Sequence, residues 1–206
     1  VLFQILQHPY LQRLNRIRQL GLSFFVYPGA MHSRFLHSLG AMHLMREAIG
    51  SLREKGVEIT DNEATASMAA ILLHDVGHGP FSHVMEHTLV EGITHEEISL
   101  MMMEKMRDEL AEQDRELLNL AIAIFKDEYP KHFLHQLISS QLDVDRLDYL
   151  CRDSFFCGVT EGSVASARIL KMQTLELPLS DGVLLQHAAN SKAHSQLGLL
   201  LHQGLV

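Results

Sequence analysis

Apolar residues over the first 173 positions recur at a helical period almost everywhere, and this restricts the fold more than any other feature. Leu11, Leu14, Ile17 and Leu20 follow Pro9 at three-residue steps. Proline suits a first helical turn, so a helix is predicted from Pro9 to Leu20, ending at Gly21. Residues 24–30, with Pro28-Gly29, read as a connection, and a long helix is predicted from about His32 to Lys55, closed by Gly56. Two capping boxes mark further starts: Thr60 with Glu63 ahead of the run Met68–Leu73, and Thr94 with Glu97 ahead of a helix to about Leu110. The first of these helices must stop at 77–80, where Gly-His-Gly-Pro breaks it. Further helices are predicted over Asp114–Phe125, Lys131–Ser139, Asp143–Ser154 and Ser163–Met172. From Thr174 to Gln186 the texture changes to two short strands around a turn. The expected class is all-α with a small C-terminal β-hairpin, residues 1–173 forming the core and 174–206 the hairpin and a helix.

At 206 residues, 47% apolar and 20% charged, the chain is long enough for one domain with a substantial core. Apolar runs are short, as at Ala69–Leu73, so no bilayer span is expected. The first residues carry neither Met nor a basic region ahead of an apolar run, so a signal peptide is not expected, and the reading is cytoplasmic. Seventeen basic against 25 acidic residues, a net charge of −8, argue against tight non-specific nucleic-acid binding. A small anionic substrate remains compatible, because local positive groups and a metal override the global field. Cys151 and Cys157 are read as free thiols in a reducing compartment. Fourteen histidines are an unusual number, and seven lie between His74 and His135. Imidazole titrates near neutrality and ligates metals, which tilts the reading toward metal or acid–base chemistry.

Three constellations carry that chemistry. His74-Asp75 ends an apolar helix, where a buried carboxylate requires a cation or a network beside it, although a simple helix stop explains the pair equally well. Arg34 and His37 share a helix face, so one can approach a phosphate while the other holds a metal; a solvated Arg beside a core His is the plainer account. In the segment 143–153, Asp145, Tyr149 and Arg152/Asp153 form one stripe, whereas Asp148 with Arg152 reads as a surface pair. His37, His74, Asp75 and Asp145 together make a mixed nitrogen–oxygen set suited to one divalent transition metal, Mn, Fe, Ni, Co or Zn, with open positions for metal-assisted hydrolysis. Met101–Met103 reads as a core or interface stripe, His132 and His135 as surface or packing residues, and His187, His194 and His202 as exposed.

Five ordered segments carry a resemblance: 19–21 (QLG), 27–40 (YPGAMHSRFLHSLG), 74–83 (HDVGHGPFSH), 94–96 (THE) and 143–153 (DVDRLDYLCRD). Across roughly residues 7–173 the chain resembles the HD-domain phosphohydrolases, and within them the dGTPase-like deoxynucleoside triphosphate triphosphohydrolases. The resemblance implies an HD-domain helical bundle with His37, His74, Asp75 and Asp145 as metal ligands and Mg allowed on the substrate phosphates. It implies that Arg34 and His78 contact phosphate and that His83, Glu86 and His95 serve catalysis. Tyr149 and Asp153 then contact the sugar, with Gln19 and Leu20 near base and sugar. Attack of water at the α-phosphorus would release a nucleoside and triphosphate, and the protein would be a homo-oligomer. The resemblance fades after Met172, and residues 174–206 are read as the start of a truncated C-terminal region. Competing readings are a phosphomonoesterase or phosphodiesterase on another nucleotide, which needs no sugar-reading pair, and a non-catalytic nucleotide-binding regulatory module. A purely structural metal would favour a Cys-rich site, which is absent.

Overall fold

The structure, a computed structural model, describes residues 1–81, 92–162, 164–176 and 184–187. Its helices are α1 (Leu2–Gln7), α2 (Pro9–Gln12), α3 (Arg34–Glu54), α4 (Asp61–Leu73), α5 (His95–Glu109), α6 (Glu112–Phe125), α7 (His132–Ile138), α8 (Val144–Cys157) and α9 (Ser166–Met172). Strands β1 (Gln173–Glu176) and β2 (Leu184–His187) pair antiparallel, Gln173 opposite His187 and Glu176 opposite Leu184. The architecture is thus the expected helical bundle with a small hairpin. Among the described residues no helix is long and apolar enough to cross a membrane.

Helix α4 is the hub, packed between α3 and α6. It is buried at Ala64, Ala66, Ala69, Ala70, Ile71, Leu72 and Leu73, so its small side chains let neighbours approach closely from several directions. Helix α3 buries one stripe at three- and four-residue steps: Arg34, His37, Ser38, Ala41, Met45, Ala48, Ile49 and Leu52. From Ala41 onward the apolar members of this stripe belong to the core shared with Leu118, Ile124, Leu134 and Leu137. Its first turn instead carries Arg34 and His37, so the core face of α3 runs directly into a polar site. Helix α8 lies along α3 and brings its own N-terminal turn to the same place.

Both capping boxes form. That of α4 does more than cap: Glu63 is buried, bonds Thr60 N at 2.7 Å, and accepts from Tyr129 Oη at 2.6 Å and Lys131 Nζ at 2.9 Å. Burial pushes the Glu63 pKa up, but the bonds from Lys131, Tyr129 and Thr60 outweigh it and hold the carboxyl at about 2. That lies below the ~4.3 of an unfolded chain, so its contribution is complete above about pH 5 and is lost as pH falls toward 2. Glu63→Ala is expected to cost about 2–3 kcal/mol at pH 7, since Lys131 is partly solvated, and distinctly less at pH 3. Urea midpoints at the two pH values measure this; equal midpoints for variant and wild type at pH 7 contradict it.

The helix expected over Pro9–Leu20 is cut short. After α2 the chain tightens into a 3₁₀ turn over Arg13–Arg16, and Ile17 is extended. Arg34 N donates to Ile17 O at 2.9 Å and Gln19 N to His32 O at 3.1 Å, so these backbone groups pair with the segment entering α3 instead of with their own turn. Apolar spacing is blind to such a distant partner; Leu11, Leu14 and Ile17 remain buried as the spacing implies. Within the run Met101–Met103, Met103 is in the core and Met101 is exposed. His132 pairs with Asp127 at the surface, and His135 Nδ1 lies 3.1 Å from the Ile124 carbonyl. Cys151 and Cys157 are free thiols. His194 and His202 lie outside the described residues.

Candidate metal centre

Three of the four expected ligands converge from different helices. His37 on α3, His74 just after α4 and Asp145 in the first turn of α8 bring ligand atoms within 4.8 Å of one another. Asp145 Oδ1 lies 2.8 Å from His37 Nε2 and 3.3 Å from His74 Nε2. Asp75 adjoins them, its Oδ1 3.3 Å from His74 Nε2 and its Oδ2 3.8 Å from His37 Nε2.

The tautomers follow from the opposite ring nitrogens. His37 Nδ1 is 2.8 Å from Asp148 Oδ2, and His74 Nδ1 is 2.6 Å from the Ile71 carbonyl. Each acceptor fixes the proton on Nδ1 and leaves a lone pair on Nε2, the arrangement in which outer acceptors orient metal-binding imidazoles. Both Nε2 atoms are buried and make no aligned hydrogen bond. Two buried lone pairs beside carboxylate oxygens fit a divalent cation, and nitrogen with oxygen donors suits a transition metal.

Charge balance gives the same answer. Asp75, Asp145 and Asp148 face two permanent cations: Arg34 Nη1 donates to Asp75 at 2.6 Å, and Arg152 donates to Asp148 at 2.8 and 2.7 Å. Without an ion, burial opposes charge on His37, yet Asp145, Asp148 and Asp75 raise its pKa to about 10. Burial likewise opposes charge on His74 and is overcome by Asp75 and Asp145. Carboxylates that draw protons onto buried imidazoles mark a site short of positive charge, and binding of an ion displaces those protons.

A cavity of about 990 Å³ opens beside this cluster, at the upper end of the ~300–1,000 Å³ common for ligand pockets. Its walls include every expected substrate-contacting residue: Gln19, Leu20, Arg34, His78, Tyr149 and Asp153. His95 is also on the wall, its ring stacked on His78 at 4.0 Å between centroids, and His78 Nε2 is 3.2 Å from Asp75 Oδ1. His83 and Glu86 lie outside the described residues. The turn that carries His74 and Asp75 is stitched to α5: Ser99 Oγ donates to His74 O at 2.7 Å and accepts from Gly77 N at 2.8 Å. A Cβ at Gly77 would come within 2.2 Å of the His95 carbonyl, so only glycine permits this approach.

Asp148 departs from its reading as a surface pair. The pairing with Arg152 exists, but Asp148 is buried, and its second role is to hold His37 Nδ1. Gly40, one turn after His37, was the available signal. A Cβ there would lie 1.9 Å from Asp148 Oδ1 and 2.1 Å from Arg152 Nη2, so the ion pair packs directly on the α3 backbone.

A family model described as the HD domain matches residues 34–153. The chain is 34% identical over 180 residues to the uncharacterized protein YwfO of Bacillus subtilis, covering 86% of this chain and 40% of that protein. It is 32% identical over 195 residues to the deoxynucleoside triphosphate triphosphohydrolase SAMHD1 of Homo sapiens, covering 77% and 31%. Among solved structures it is similar to a phosphohydrolase from Bacteroides thetaiotaomicron, with 58% identity and a TM-score of 0.84 over 98% of this chain and 47% of that one. The chain therefore spans less than half the length of each of these proteins.

Proposed function

The chain belongs to the HD-domain family, and from that premise we propose that it is a metal-dependent nucleotide phosphohydrolase, most specifically a deoxynucleoside triphosphate triphosphohydrolase. The observation that carries this reading is the pair of buried, unbonded Nε2 atoms beside Asp145, at the edge of a cavity that also presents Arg34, Tyr149 and Asp153. Support for the nucleotide comes from the SAMHD1 relatives, whose names state that activity.

His37, His74, Asp75 and Asp145 would hold one ion of Mn, Fe, Ni, Co or Zn. Once bound there, such an ion would supply Lewis acidity to a phosphoryl oxygen and lower the pKa of water toward neutrality. The protein's own groups do the rest. Arg34, braced against Asp75, places positive charge where phosphate oxygens enter, and His78 supplies a ring nitrogen on the same wall. Tyr149, Asp153, Gln19 and Leu20 would seat the nucleoside. In the reaction, the oxygen of water bonds to the α-phosphorus and the bond to the 5′-oxygen breaks. The attacking water gives up a proton and the 5′-oxygen leaves with one, transfers we assign to His95 or to His83 with Glu86.

The test is product analysis of the Mn-loaded chain with each of the four deoxynucleoside triphosphates, by anion-exchange chromatography. Nucleoside and intact triphosphate are expected in equal amounts. Monophosphate or pyrophosphate instead would overturn the triphosphohydrolase assignment, and a metal-loaded chain that turns over no nucleotide would overturn the enzyme reading.

A further inference from the structure

His32 belongs to no group described so far, yet it is nearly as deeply buried as His37. It sits two residues before α3, where its carbonyl accepts from Gln19 N. Its Nε2 is 2.7 Å from Asp153 Oδ1, and its ring stacks on Phe156 with centroids 4.6 Å apart and planes 21° from parallel. The loop that carries it is seated on the same helix: a Cβ at Gly29 would lie 2.2 Å from the Phe156 carbonyl. Nδ1 is buried without a hydrogen-bond partner. A proton there would be an unsatisfied buried donor, whereas a bare lone pair is better tolerated, so the proton belongs on Nε2, pointing at Asp153.

Asp153 lines the cavity together with Tyr149 and Gln19. One of its oxygens is anchored by His32, and among the described residues nothing bonds the other. A carboxylate held by one oxygen and open at the other is a fixed acceptor for a hydroxyl. Without the anchor, its χ1 and χ2 would be free to turn that acceptor away.

We propose that His32 is a positioning residue for Asp153: it fixes the carboxylate so that its second oxygen accepts a hydrogen bond from the sugar hydroxyl of the bound nucleotide. This rests on the nucleotide reading above. Packing alone would explain a buried aromatic ring on Phe156, but a ring without a donor would pack equally well.

That difference supplies the test. His32→Phe keeps the stacked ring and removes the donor; His32→Gln keeps an N–H near the Nε2 position. Each variant and the wild type, loaded with Mn, is assayed with dATP and with 2′,3′-dideoxyATP, which lacks the 3′-hydroxyl, and metal content and Tm are recorded. In the wild type, kcat/KM should favour dATP. In His32→Phe the dATP value should fall about 10- to 100-fold while the dideoxy value changes less than about twofold, collapsing the ratio. His32→Gln should restore part of it, with one metal per chain throughout. Equal losses on both nucleotides, or an unchanged ratio in His32→Phe, would overturn the proposal and leave the nucleotide reading intact. Failure of the wild type to bind or turn over either nucleotide would overturn the nucleotide reading and this proposal with it.

Discussion

Asp145→Ala is expected to reduce bound divalent metal from one ion per chain to a small fraction and to lower turnover by about a thousandfold or more. The carboxylate stands between the two imidazoles, 2.8 Å from His37 and 3.3 Å from His74, and it brings α8 to the place where α3 meets the end of α4. Its removal leaves two imidazoles and Asp75, and Asp75 already accepts a hydrogen bond from Arg34. Fold stability should change much less than binding, because the Asp145 side chain is 31% exposed and contributes no apolar packing. Elemental analysis after gel filtration, together with Tm with and without added Mn, separates the two effects. The wild type should gain Tm on metal addition and the variant should not, since only a ligand bound by the native state stabilises it. Chelation of the wild type should reproduce the loss, and re-addition of metal should reverse it. A variant that retains one tightly bound ion contradicts the ligand assignment.

The second large effect is expected at a position with no side chain. Alanine normally favours a helix interior over glycine by about 1 kcal/mol. At Gly40 the new methyl would collide with Asp148 and Arg152, which are bonded to each other and, through Asp148, to His37. Either α8 moves away from α3 or the carboxylate turns off His37. The expected cost is about 2–4 kcal/mol, with metal affinity weakened about 10- to 100-fold through the loss of the imidazole's support. Gly50 of the same helix supplies the control: a Cβ there meets nothing within 4 Å, so Gly50→Ala should be neutral or stabilising, with metal affinity unchanged. Guanidinium unfolding and metal titration of both variants decide the matter; similar behaviour at the two positions would show that the contact at Gly40 carries no functional weight.

These two sites mark the boundary of what could be read from residue order. The capping boxes at Thr60 and Thr94, the long α3 and the helix break after His74 are set by interactions within a few residues, and all were legible. His37, His74 and Asp145 were legible as chemical types in ordered segments, and the structure brings them together. Asp148 was not, because an Asp four residues before an Arg looks the same on a wet surface and under a neighbouring helix. Only the approach of α3 at Gly40 distinguishes the two. The early end of the helix over Pro9–Leu20 has a related cause: Ile17 and Gln19 take their backbone partners from the approach to α3, a choice that no local pattern encodes. His32 reads in the sequence only as the start of the long helix, because nothing local points to its remote partner Asp153.

The stripe on α3 also has a bearing on how such a chain would evolve. Arg34 and His37 occupy positions that the helical spacing would otherwise fill with aliphatic side chains. Replacing buried ionic groups by well-packed apolar residues is often neutral or stabilising. Selection for chemistry therefore holds this helix away from its most stable composition, and a lineage released from that selection has a downhill path to a tougher, inert bundle. Its earliest traces would be aliphatic residues at 34 and 37, followed by an uncharged residue at 148 and a side chain at 40.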